Sequence, residues 1–308
     1  MLNIYEAKAA NQRRSFVIVF LFAVFVAAAI YILANAWGAY TGSPIDSLGI
    51  VGIALIVSGI SSFASYYYSD KIILGISGAR RATPQEDRLF TQVVENLCIG
   101  AGIPRPALYV IDDPSPNAFA TGRDQNHAAI CATSGLLAKL NRSELEGVFG
   151  HELTHIKNYD TRLMAVVAVM VGLIALLGDW FLRITWFGGR RNREEGEVGT
   201  IFLILGIVFA ILSPFVGMLI QLAISRRREF MADAGSVEIT RQPEDLISAL
   251  KKISDDPTPM RNANKATAHL YIENPFKKTG HGKVGWFSGL FDTHPPVAER
   301  IKILKSML

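Results

Sequence analysis

Cysteine is nearly missing from this chain: of 308 residues, Cys98 and Cys131 alone carry a thiol. They form no C-x-x-C pair, so neither a disulfide framework nor a thiolate zinc site is available, and they read as small buried residues of a reducing compartment. Charge is scarce as well. Asp, Glu, Lys and Arg make up 19% of the sequence and hydrophobic residues 50%, against about a quarter charged in an ordinary soluble domain. The net charge of +4 is too small for the basic surface that nucleic acid requires. The basic residues gather at the ends of apolar runs, where they orient a chain in a membrane.

The apolar runs are long. Lys8, Arg13 and Arg14 precede Ser15 to Trp37, which holds no charge and is long enough to cross a bilayer. Ala34-Asn35-Ala36 resembles a signal cleavage site, but the run exceeds a signal core and a second one follows at once. That second run, Ser47 to Tyr68, ends in Tyr66-Tyr67-Tyr68, which suits an interfacial belt. The connector Gly38 to Asp46 has no Lys or Arg, whereas Lys71, Arg80 and Arg81 follow the second run. The positive-inside rule then puts the N-terminus and everything after residue 70 in the cytoplasm. Two further apolar runs, Leu163 to Leu182 with Asp179 inside and Gly199 to Ile224 with Pro214 as a kink, predict a membrane hairpin. Its connection, Gly188 to Val198, carries Arg190, Arg191 and Arg193 against the positive-inside count.

Between these segments the composition is that of a soluble domain. Pro84 to Gly100 predicts an amphipathic helix burying Leu89, Val93, Val94 and Leu97. Ala107 to Asp112, Asn117 to Gly122 and Ala128 to Thr133 predict a small antiparallel sheet. Asn117 to Gly122 reads equally as a core strand or as an edge on which an extended polypeptide could pair through Asn117, Ala118, Phe119 and Ala120. The division expected is 1–70 for two membrane helices, 71–162 and 225–308 for the two parts of the soluble domain, and 163–224 for the hairpin.

The chemistry concentrates in Glu144-Leu-Glu-Gly-Val-Phe-Gly-His151-Glu152-Leu-Thr-His155-Ile-Lys-Asn158. At 3.6 residues per turn His151 and His155 share a helix face and can share a metal, with Glu152 beside that face to hold a water and take its proton. A catalytic zinc needs a third protein ligand and an open position. In Arg228-Glu229-Phe-Met-Ala-Asp233, Glu229 can supply that ligand, and Asp233, one turn on, can accept the free N–H of His151. His127, His269 and His281 stand outside any ligand spacing. His294, held between Thr293 and two prolines, suits either a donor toward negative charge developing on a scissile carbonyl or a structural cap. Zinc-dependent proteolysis is the expectation. The alternative from a different class is a membrane transporter or sensor that binds zinc without hydrolysis, although the apolar segments offer few ionisable residues to line a path. An inactive scaffold would ordinarily have lost Glu152.

Asn117-Ala-Phe-Ala-Thr-Gly122, His151-Glu152-Leu-Thr-His155, Arg228-Glu229-Phe-Met-Ala-Asp233, Ala268-His269-Leu-Tyr-Ile and Thr293-His294-Pro-Pro with Arg300, in this order among four apolar segments, resemble the membrane-embedded M48 zinc metalloproteases of the HtpX type. The resemblance spans nearly the whole chain. It implies an α+β, mainly helical, polytopic membrane protein with about four membrane helices and a zincin-like catalytic domain. It also implies one zinc per subunit on His151, His155 and Glu229, Glu152 as base, His294 as a catalytic donor, and Asp233 and Arg300 behind the ligands. The role implied is proteolytic quality control of damaged or misfolded membrane proteins, at the cytoplasmic face of a cell membrane.

Overall fold

The computed structural model describes residues 13–24, 27–28, 31, 47–83, 85, 87–170, 226–261, 263–264, 267–276 and 295–308. Residues 13–24 are helical and bury Ser15, Ile18 and Phe22 along one side. Helix α1, Ser47–Ile76, is 30 residues long and leaves Ile53, Leu55, Ile56, Ile60 and Phe63 exposed. Among the described residues no helix is long and apolar enough to cross a membrane. The hairpin expected over 163–224 lies outside the described residues from position 171 on; residues 160–170 are helical.

Among the described residues the chain after α1 is built on a four-stranded sheet in the order β1-β2-β4-β3, with β1 Arg80–Arg81, β2 Ala107–Ile111, β3 Ala118–Gly122 and β4 Ala128–Thr133. The sheet is mixed, which corrects the antiparallel expectation: β2 and β4 run parallel, while β1–β2 and β3–β4 are antiparallel. The chain leaves β2, travels to the far edge as β3, and returns through the 3-10 turn Gln125–His127 to lay β4 in the middle. Local sequence does not encode that crossover, because strand order is set by pairing between distant segments.

Helix α2, Arg88–Ala101, ends at Gly102 in the left-handed conformation. It buries Phe90, Val93, Val94 and Leu97; Leu89, expected inside, is 39% exposed, and Phe90 takes its place against Phe149 with ring centroids 4.7 Å apart. Val93, Val94 and Leu97 are buried as expected, so the stripe keeps its phase and Phe90 in place of Leu89 completes its N-terminal end. Thr133 caps the short α3, Ser134–Lys139. Helix α4, Arg142–Lys157, starts from a full capping box between Asn141 and Glu144. Glu144 also accepts from Ser248 Oγ at 2.6 Å and from Lys252 Nζ at 2.8 Å, and so ties α4 to α6, Pro243–Ser254. Those charged and hydroxyl partners hold the Glu144 carboxyl below its ordinary range in spite of the opposing effect of burial.

Burial on every side distinguishes α4, from Leu145 through Ile156 apart from the half-buried Glu146. One hydrophobic cluster joins it to α2, α6 and the Ala118, Ala120, Ile130 face of the sheet. A second covers the other sheet face, where Phe119 and Cys131 meet Ile73, Met164 and Tyr271. Polar residues in a helix this enclosed need partners or a ligand.

Candidate active site

Helix α5, Arg226–Thr240, lies against α4 at small residues. A Cβ on Gly150 would come 2.8 Å from Ser236 Oγ, and one on Gly235 would come 2.4 Å from Thr154 Cγ2. Ser236 Oγ donates to Gly147 O at 2.6 Å across the same contact. The close approach brings Glu229 under the two histidines. His151 and His155 Nε2 lie 3.1 Å apart, and the Glu229 carboxylate stands 3.6 Å from each. All three residues are buried, with their ligand atoms within 4.8 Å of one another.

The outward nitrogens are held from behind. His151 Nδ1 donates to Asp233 Oδ1 at 2.9 Å, and Arg300 donates to both oxygens of Asp233, from Nη2 at 2.6 Å and Nε at 2.9 Å. Arg300 comes from α7, Val297–Lys305, and is fully buried. Burial opposes charge on both groups. The Arg300 guanidinium nevertheless keeps the Asp233 carboxyl down at about 2, and the Asp233 and Glu229 carboxylates lift His151 to about 9. On the other side His155 Nδ1 donates to Asp160 Oδ2 at 3.0 Å, and Arg228 Nε stands 3.5 Å from Asp160 Oδ1. Each histidine is therefore backed by a carboxylate and each carboxylate by an arginine. With both Nδ1 atoms donating, each ring in its neutral form presents its Nε2 lone pair to the same point.

Asp160 and the bracing role of Arg228 were missed in the sequence. Asp160 follows the end of α4 across Tyr159, whose φ of 60° puts a non-glycine residue in the left-handed region. Helical spacing does not carry through such a turn, so nothing in Asn158-Tyr159-Asp160 shows that the carboxylate folds back beneath His155.

The remaining expected site residues divide. Glu152 is buried at 2% exposure on α4, in the turn that carries the histidines. Ala118, Phe119 and Ala120 form most of the edge strand β3. Asn117, expected to contact substrate, is taken up internally: its Nδ2 donates to Glu273 O at 2.9 Å and its Oδ1 accepts from Ala118 N at 3.1 Å. His294 lies outside the described residues. His269 is buried with Nε2 3.3 Å from Met164 O, and His127 sits exposed in a turn against Asp124, both away from the His/His/Glu cluster. Both thiols are free; burial pushes Cys98 up to about 11, and Cys131 is raised by the same cause.

Residues 84–308 match the model of peptidase family M48. A protease HtpX homolog of Caldanaerobacter subterraneus subsp. tengcongensis is 43% identical over 99% of this chain and 98% of its own length. One from Dictyoglomus thermophilum is 46% identical over 98% of this chain and 94% of its own. The crystal structure of S. mikatae Ste24p aligns with 97% of this chain and 67% of that protein at 16% identity and a TM-score of 0.48.

Proposed function

Because the chain belongs to peptidase family M48 and is a metalloprotease of the HtpX type, we propose that it hydrolyses peptide bonds with one zinc held by His151, His155 and Glu229. The observation that carries this is the spacing of the three ligand atoms. Donors at about 2.0–2.1 Å from one tetrahedral zinc stand about 3.3 Å from each other; here the two Nε2 atoms are 3.1 Å apart, and each lies 3.6 Å from a different oxygen of the Glu229 carboxylate, His151 from Oε2 and His155 from Oε1. Neutral imidazoles and a carboxylate also suit zinc in preference to a harder cation.

When bound, zinc supplies Lewis acidity, acidifying a water and polarising a carbonyl. Glu152, adjacent to His151 and outside the ligand set, takes the proton from the attacking water at its carboxylate and returns it to the leaving amine. Asp233 and Asp160 keep the two imidazoles in the Nδ1–H tautomer through the cycle. The polypeptide pairs its backbone with the outer edge of β3, a mode of recognition that reads main chain before side chain. His294, beside its prolines, donates toward the negative charge on the carbonyl oxygen.

The substrates are damaged or misfolded membrane proteins, cut at the cytoplasmic face of a cell membrane. In support of a membrane setting, Ser47 to Tyr68 is a continuous apolar run in the sequence, and α1 exposes large apolar side chains. Where that run ends, Arg123 lies over Tyr67 at 5.1 Å, Arg162 over Tyr66 at 5.8 Å and Lys71 over Tyr68 at 5.5 Å. Such an aromatic and cationic girdle suits a headgroup layer. The test is zinc content measured together with cleavage of casein in detergent, before and after a chelator. About one zinc per chain and chelator-sensitive cleavage are expected; bound zinc with no cleavage would favour the transporter or sensor.

A further inference from the structure

The register of β3 fixes which of its backbone groups face outward. Asn117 O accepts from Thr133 N at 2.9 Å, and Phe119 and Thr121 stand opposite Cys131 and Ala129. In an antiparallel pair the exchange of hydrogen bonds alternates, so the odd positions turn toward β4 and Ala118, Ala120 and Gly122 turn their N–H and C=O outward. The outer edge is not uniform. At Ala118 it is occupied: the carbonyl accepts from Ile272 N at 2.9 Å. Two residues on, Ala120 is buried at 1% exposure, and its outward N–H and C=O have no partner among the described residues. A buried peptide group with its donor and acceptor unmet is unfavourable, so this is where an incoming backbone gains most.

Residues 271–273 are fastened where they lie. Asn117 grips Glu273 from both sides, Nδ2 donating to its carbonyl at 2.9 Å and Oδ1 accepting its N–H at 3.3 Å. The side-chain amide thus replaces a peptide group that a further strand would otherwise provide. The Tyr271 ring packs edge-on against Phe119 with centroids 5.0 Å apart, and Tyr271, Ile272 and Leu270 are all buried. At the other end of the strand Gly122 has φ 129°, and a Cβ there would stand 2.2 Å from the carbonyl oxygen of His127, the residue just before β4, so this close approach lies on the inner side of the strand.

We infer that residues 271–273 act as a fixed stop on the substrate-pairing edge. An extended polypeptide pairs with the backbone of Ala120 and on toward Gly122, a stretch of about 7 Å, and its chain has to leave the sheet at Ala118, where Ile272 already sits. Asn117 is then a specificity-determining residue that acts through the strap. A window this short engages a few peptide groups and reads little sequence. The ligand class it fits is any locally unfolded segment, and residues beyond the window on the Ala118 side add nothing to binding. The inference rests on the peptidase reading above and deepens it.

The test uses full-length enzyme in detergent and nested peptides built around one casein cleavage site, lengthened a residue at a time in each direction. For the wild type kcat/KM is expected to rise and then level off abruptly on one side. Ile272→Pro removes the N–H that occupies Ala118, and Asn117→Ala frees Glu273. In either variant that plateau should move outward by two residues or more. A plateau that stays put in both variants overturns the stop. Should the variants misfold, hydrogen exchange on Glu152→Gln with the longest peptide bound decides the matter: the Ala120 amide should gain protection while the Ile272 amide keeps its own. Loss of protection at Ile272 would mean that the strap is displaced, and the stop would fall. A wild type that cleaves none of the peptides counts against the peptidase reading itself, an outcome distinct from either of these.

Discussion

Glu152 and Glu229 have the same side chain and opposite assignments, which makes them the sharpest pair to vary. Glu152→Gln keeps the shape and removes the base, so zinc per chain should hold after a chelator wash while casein cleavage drops by about 10²- to 10⁴-fold or more; Glu229→Gln should lose both. Asp160→Asn tests the carboxylate behind His155. Its oxygen can still accept from Nδ1, but the negative charge is gone, and zinc affinity should fall about 10- to 100-fold, read by competition with a fluorescent chelator. Protons compete for the same site. In the metal-free protein the His151 pKa is raised to about 9, so its protonation stabilises the fold fully below about pH 6.5 and that contribution is lost as pH rises through about 9. Zinc requires the neutral ring, so uptake at pH 7 should release about one proton from His151, and calorimetry in buffers of different ionisation enthalpy counts it. Asp233 works in the opposite sense: held at about 2, it contributes stability above about pH 3.8 that is lost as pH falls through about 2. At this scale the ligand set could be proposed from the sequence because His151, His155, Glu229 and Asp233 lie at helical spacings of four. Asp160 could not, because the left-handed Tyr159 breaks the periodicity that would have pointed to it.

Among the elements, the contact between α4 and α5 brings His151 and His155 together with Glu229 and Asp233. Gly235 faces Thr154 so closely that an added Cβ must push the helices apart, and Glu229 is carried on the helix that moves. Gly235→Ala is therefore expected to lower zinc retention after a chelator wash by roughly tenfold or more. Thr154→Ala in the same chain should recover much of the loss; equal loss in the double variant would show that the spacing of these helices does not set the site. The sequence carried the helices well, since the Asn141–Glu144 capping box marks the start of α4 and Pro243 that of α6. It carried the sheet poorly. Ala107 to Ile111 and Ala128 to Thr133 could be seen as strands, yet nothing within either says that they pair in parallel with β3 outside them. One position of α2 was misplaced for a related reason: Leu89 and Phe90 are both apolar, and the fit of Phe90 against Phe149, 59 residues further along the chain, decides which of them is buried.

For the whole molecule the open question is which way the catalytic part faces, and the scarcity of cysteine offers a direct means of testing it. Cys131 is fully buried and Cys98 is 5% exposed with its thiol pushed up to about 11, so both should react slowly with a maleimide at neutral pH. A single introduced thiol then reports its own side of the membrane. Lys and Arg stand before the first apolar run and after the second, with none between, which predicts Gly38 to Asp46 outside and the catalytic part in the cytoplasm. Ser43→Cys samples that connector. Ile99→Cys samples α2 at a side chain 82% exposed, where the change touches no core contact. With a membrane-impermeant maleimide on intact cells, Ser43→Cys should be labelled and Ile99→Cys should not, until the membrane is opened with detergent. The reverse pattern would place the zinc site outside and remove cytoplasmic-face quality control as the function. Labelling of both in intact cells would mean that the two apolar runs do not form a membrane hairpin at all, and the exposed Ile53, Leu55, Ile56 and Phe63 of α1 would then need a protein partner to cover them.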